Sequence, residues 1–99
     1  MISIVGLGNA GSRIAKQFSD LSQYSVYCLN TDVKRTSKYN FRLKVHETPE
    51  ECEKNIPDLT KFFKDIGDRV QFFVVGASLS SNYALGVLEQ IRDKEIELF

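Results

Sequence analysis

Close to its start the chain runs from a short apolar stretch, residues 2–5, into Gly6-Leu7-Gly8-Asn9-Ala10-Gly11-Ser12. The apolar run reads as a buried strand. Ile14, Phe18 and Leu21 recur after the glycines at helical spacing. A Gly-x-Gly-x-x-Gly loop that leaves a strand and opens a helix constrains the fold more than any other feature of this chain. The first glycine allows the tight turn, the second lets backbone approach a phosphate, and the third permits close packing of helix on strand. Free amides and the dipole at such a helix start favour an anion. Gly6, Gly8, Asn9, Ala10, Gly11 and Ser12 are the first candidate phosphate-binding residues, Ser12 adding a hydroxyl. No Gly-Lys-Ser/Thr closes the loop, which excludes a P-loop. A turn that uses glycine for geometry alone is the competing reading.

The rest of the chain keeps alternating between strand and helix signals. Residues 24–29 are rich in strand formers, and residues 41–45 alternate as a short edge strand would. Thr48, Pro49 and Glu51 make a helix start, with a cap, a proline at the first position and a capping box. Cys52, Ile56, Leu59 and Phe63 then form an apolar stripe. Pro57 lies inside it and predicts a kink or two short helices. Residues 70–75 are almost wholly apolar, as a central parallel strand should be. After a small-residue loop at 76–82, Ala84, Val87, Leu88 and Ile91 give another helical stripe, and residues 95–99 another strand. This order predicts a Rossmann-like three-layer α/β/α fold with a mainly parallel sheet and right-handed crossovers. Ninety-nine residues suffice for one domain. A closing strand with nothing after it leads us to expect the N-terminal part of a longer protein.

Thirteen basic and thirteen acidic side chains cancel. That balance argues against a dedicated nucleic-acid or membrane-surface binder. No apolar run approaches the ~20 residues of a membrane helix, and the start lacks a signal-peptide pattern. A cytoplasmic protein is expected. Cys28 and Cys52 have no metal-ligand spacing and are read as reduced, packed thiols. Phe62, Phe63, Phe72 and Phe73 are core candidates. His46 is the only histidine and reads as a surface or turn residue, with no metal cluster and no Ser-His-Asp or Cys-His constellation around it.

The spacing leaves the nucleotide open. Asp32 stands 21 residues past Gly11 (32 − 11), near where a dinucleotide fold places a ribose-binding acid. It could equally bond its own loop. Lys34, Arg35, Lys38, Arg42 and Lys44 fall in a stretch, residues 33–45, that holds no acid. They could clamp a 2′-phosphate and favour NADP, or form a solvated loop.

The glycine run ending in Ser12, followed by a strand that closes in Leu29-Asn30-Thr31-Asp32, resembles the tubulin/FtsZ superfamily of filament-forming GTPases. Phe72-Phe73-Val74-Val75-Gly76-Ala77 is similar to the strand leading to that family's signature loop, and the likeness covers most of the chain in order and spacing. It implies GTP or GDP, with Mg²⁺, as ligand. Asn30 and Asp32 would flank the sugar or the loop, and Gly76, Ser78, Ser80 and Ser81 would face the phosphates from the second side. The family's glycine-rich signature is replaced here by Ser78-Leu79-Ser80-Ser81-Asn82-Tyr83, which an ordinary serine cap would also explain. The family's catalytic acids lie in a later region, so no catalytic residue is assigned and the chain alone is not expected to hydrolyse GTP. Head-to-tail self-association of the full-length protein is a further implication. Two other readings stay open: the NAD(P)-binding domain of an oxidoreductase, and an interaction module that kept the fold and lost its ligand.

Overall fold

The computed structural model describes residues 2–76 and 79–99. Its elements are β1 (Ile2–Leu7), α1 (Gly8–Lys16), β2 (Tyr24–Asn30), β3 (Asn40–Arg42), α2 (Pro49–Lys54), β4 (Arg69–Val74), a 3₁₀ segment (Leu79–Tyr83), α3 (Ala84–Gln90) and β5 (Glu95–Leu98). All strand pairs are parallel, in the order β3-β2-β1-β4-β5. β1 is central, with Leu7 opposite Leu29 on one side and Val74 on the other. This is the Rossmann-like α/β architecture that the alternating pattern predicts.

Residues of the central strands separate by face with period two. Val5, Leu7, Tyr27, Leu29, Val70 and Phe72 belong to the larger core, closed by Leu43, Cys52, Leu59, Phe63, Tyr83, Val87 and Ile91. Ile4 and Cys28 belong to the smaller one, with Ala15 of α1 and the partly buried Phe18 and Phe73. Val87 and Ile91 are buried as the α3 stripe predicts, and Phe63 and Phe72 lie in the large core.

The buried face of α1 differs from the sequence expectation. Ile14 is 37% exposed, and Leu21, beyond the helix's end at Lys16, is 43% exposed, while Gly8, Gly11, Ser12 and Ala15 are buried. The cause is distance. A Cβ on Gly11 would stand 2.5 Å from the Phe73 carbonyl oxygen, and one on Gly6 would stand 2.5 Å from that of Gly11. Only small residues fit beneath a helix this close, so Ile14 turns outward. Phe18 reaches the sheet from the turn beyond α1, stacking on Phe73 with centroids 5.9 Å apart and meeting Tyr24 edge-on.

Two further expectations are corrected. The strand predicted at 41–45 pairs only as Asn40–Arg42, and Val45 is 78% exposed. Residues 57–67 form no helix. α2 ends at Lys54, and residues 60–65 are turns. Leu59, Phe63 and Ile66 are still buried. Gln90 of α3 makes this possible by accepting from the Leu59 N–H and donating to the Pro57 carbonyl, both at 2.7 Å. A side chain thus supplies partners that a helix ladder would have supplied.

The β2–β3 connection, residues 31–39, contains no helix, so α1 is the only helix that packs against the β1, β2 and β4 side it covers among the described residues. No helix is long and apolar enough to cross a membrane among the described residues.

Candidate functional site

In a parallel sheet of this order the chain leaves β1 toward β2 and leaves β4 toward β5, in opposite directions. The crevice between those departures, at the carboxyl ends of the strands, is where such sheets hold ligands. The glycine loop turns there. Gly8 has φ 77°, a conformation that L side chains rarely adopt. Leu7 precedes α1 with no side-chain cap, and the first turn holds no acid, while Arg13 and Lys16 occupy the last. Among the described residues the amides at the helix start therefore have no side-chain cap, and no acid in the first turn compensates the positive end of the dipole. α2 is built the other way. Thr48 Oγ1 accepts from the Glu51 N–H at 3.2 Å, and the Glu51 carboxylate accepts from the Glu47 N–H at 3.2 Å. The capping pair forms as read from the sequence, with the carboxylate reaching one residue further back than the cap.

Of the candidate residues, Asn9, Asn30 and Ser80 come together around a cavity of about 240 Å³. Asn30, the last residue of β2, is only 9% exposed and donates from Nδ2 to Asn9 Oδ1 over a long 3.5 Å. Ser80 is equally buried in the 3₁₀ segment. Asn9 and Ala10 are exposed at the start of α1, while Gly6 and Gly11 are buried where helix and strand touch. Ser12 is 3% exposed and its Oγ is enclosed with no hydrogen-bond partner among the described residues. It sits on the inner face of the helix, beside Cys28. Asp32 is exposed and does not line the cavity. Gly76 is exposed, and its carbonyl accepts from Ser81 Oγ at 3.5 Å. Ser78 lies outside the described residues.

The other wall of the cavity was not legible as a site. Lys44, His46, Cys52 and Tyr83 line it. The His46 side chain is only 17% exposed, against the surface position expected of it. Its Nδ1 lies 3.7 Å from Glu51 Oε2, and its Nε2 is enclosed with no hydrogen-bond partner among the described residues. A buried polar atom left so costs about 1–3 kcal/mol. Tyr83 packs its ring 6.2 Å from that of His46 and donates to the Lys44 carbonyl at 2.8 Å. Burial, with the adjacent Cys52, pushes the Tyr83 hydroxyl up to about 12. Burial also pushes the Cys52 thiol up, against a smaller opposing effect of its Tyr83 hydrogen bond. Cys28 is raised mainly by burial as well. Both thiols are free, buried and held in the protonated form, the opposite of an activated cysteine. The signal that could have found His46 is the capping box five residues on: it fixes Glu51 where a preceding imidazole can meet it.

Three side-chain groups with ligand capacity for a phosphate or sugar therefore converge (Asn9, Asn30, Ser80), next to a cationic Lys44 and an imidazole. Among the described residues no cluster of three metal-ligating side chains occurs. No family model, no curated protein and no solved structure matches the chain.

Proposed function

We propose that the chain is a nucleotide-binding domain that anchors phosphate at the start of α1. The observation that carries this is the uncapped, acid-free helix start, entered through Gly8 at φ 77° in the crevice between β1 and β4. Backbone amides there would hold the phosphate, with Asn30 and Ser80 beside it. The Asn30-Thr31-Asp32 sequence after β2, by its likeness to the tubulin/FtsZ superfamily, favours a guanine nucleotide.

One observation favours NADP as a second reading. A cleft of about 570 Å³ beyond β2 and β3 is lined by Thr31, Thr36, Arg42 and Lys44. Cations in that place suit a 2′-phosphate. Calorimetric titration with GTP-Mg²⁺, and with NADPH in parallel, tests both. Saturable GTP heat that Gly8→Asp abolishes, with the far-UV spectrum of the variant unchanged, is the expected result. NADPH heat without GTP heat overturns the guanine reading. Heat from neither overturns the domain's assignment as a nucleotide binder.

A further inference from the structure

The two edges of the sheet are finished differently. At β3 the outer backbone groups are taken. The Ser37 N–H donates to the Asn40 carbonyl at 2.7 Å, and Thr36 Oγ1 accepts from the Arg42 N–H at 3.0 Å. β5 has no such cover. The Glu95 and Phe99 N–H groups point inward, donating to the Asp68 and Phe72 carbonyls at 2.9 and 2.8 Å. Alternate residues of a parallel strand bond the same neighbour. Ile96 and Leu98 therefore turn their N–H and C=O outward, where no backbone partner stands among the described residues. A strand of a parallel sheet is ordinarily buried on both faces. Here Glu95, Glu97 and Leu98 are exposed, Leu98 at 59%.

The side chains of β5 separate by face. Phe99 stacks on Phe73, with centroids 4.9 Å apart, on the side that α1 covers. Glu95 and Glu97 share that face by period two. Ile96 packs on the larger core, and Leu98, opposite Phe72, lies on the same side as Ile96. Glu95 pairs with Arg69 at 3.6 Å, whereas Glu97, opposite Gln71, has no ion pair among the described residues.

We infer that β5 is a docking edge that takes an extended peptide as a sixth strand, one whose side chains alternate between basic and apolar. The peptide backbone pairs with Ile96 and Leu98. Its cations meet Glu97 and Glu95, and its apolar side chains continue the face of Ile96 and Leu98. In strand addition of this kind the main chain gives affinity and alternate side chains give specificity. Charge selects the occupant. Two β5 strands paired antiparallel about Ile96 or Glu97 would set acid opposite acid, which is destabilising. A basic strand therefore fits where a second copy does not. The inference stands apart from the nucleotide reading.

Backbone ¹H–¹⁵N spectra of the chain, titrated with acetyl-Lys-Val-Lys-Val-Lys-amide, test this. Saturable shifts centred on the Ile96 and Leu98 amides are expected, with slower solvent exchange of both in the bound state. The isomer acetyl-Lys-Lys-Lys-Val-Val-amide and the acidic acetyl-Glu-Val-Glu-Val-Glu-amide should each bind about fivefold more weakly or worse, the worth of a cross-strand pair. Glu97→Lys should weaken the alternating lysine peptide by a similar factor and narrow its advantage over the acidic one. Equal shifts from the two lysine peptides would make the edge a charged surface only and overturn the proposal. So would a β5 that does not shift, or a Glu97→Lys chain that binds as the parent does. Ile96 and Leu98 amides protected before any peptide is added, with a dimer in sedimentation, would give the edge to a second copy and overturn it too.

Discussion

Two turns meet at the carboxyl end of the sheet, and they are held by opposite means. The turn from β1 into α1 is backbone packed on backbone. Gly6 lies against the Gly11 carbonyl and Gly11 against that of Phe73, each with room for no Cβ. The turn from β4 into α3 is held by side chains. Ser81 Oγ donates to the Gly76 carbonyl, Asn82 Nδ2 to that of Leu79 at 3.0 Å, and the Tyr83 hydroxyl to that of Lys44. A Cβ on Gly76 meets nothing within 4 Å among the described residues. The first turn is therefore sensitive to the size of a residue and the second to its chemistry. A glycine in one is a packing requirement; in the other it is not.

The largest expected effect breaks the first turn. Gly11→Ala gains about 1 kcal/mol of helix propensity, but its methyl would need the space of the Phe73 oxygen 2.5 Å away. Overpacking against backbone wins, because no side chain can rotate aside. A net loss of about 2–3 kcal/mol is expected, or a fall of roughly 10–20 °C in Tm for a domain of this size. Gly6→Ala should act in the same direction. Thermal unfolding checks both, and an unchanged Tm would mean that α1 lies further from the sheet.

The next effect loosens the second turn. Tyr83→Phe removes the donor to the Lys44 carbonyl and should cost about 1 kcal/mol. It should also change the alkaline limb of the stability curve. An acid raised by folding stays protonated in the native state after the unfolded chain has ionised, so stability falls as pH rises between the two values. For Tyr83 that window runs from 10.0 to about 12. The raised cysteines begin the fall above 9.0. Urea midpoints measured from pH 8 to 12 should therefore decline, and Tyr83→Phe should decline less steeply between 10 and 12. Parallel curves would assign the alkaline loss to other groups.

The same contrast explains what could be read in advance. Strand and helix order, the parallel sheet and the first turn follow from local signals, since period-two and helical spacing and a glycine pattern each carry their own geometry. The inner face of α1 did not follow, because Ile14 has the spacing of a buried stripe and is excluded only by how near Gly11 lies to β4, while Leu21 falls beyond the end of the helix. The segment after Pro57 keeps its apolar pattern without its helix, because Gln90, 33 residues on, supplies the hydrogen bonds. The site divided in the same way. Asn9 and Asn30 were marked by position in motifs, whereas His46 has only the nearby capping box in its sequence neighbourhood and lies beside Tyr83 of the 3₁₀ segment in the fold.

The smallest expected effect sharpens the comparison most. Gly76 has no positive φ and no neighbour within reach of a Cβ among the described residues, so alanine there restricts the unfolded chain without straining the folded one. Gly76→Ala should raise stability by about 0.4–1 kcal/mol, opposite in sign to Gly11→Ala. Its effect on ligand binding is a separate measurement. If the second turn brings backbone against phosphate, as the superfamily likeness implies, the added methyl stands in the open crevice and weakens GTP while the urea midpoint rises. If Lys44 and Ser80 hold the anion instead, affinity stays as it was. Stability and affinity moving apart would make Gly76 a ligand-approach residue. Stability rising alone would leave that wall of the site to side chains.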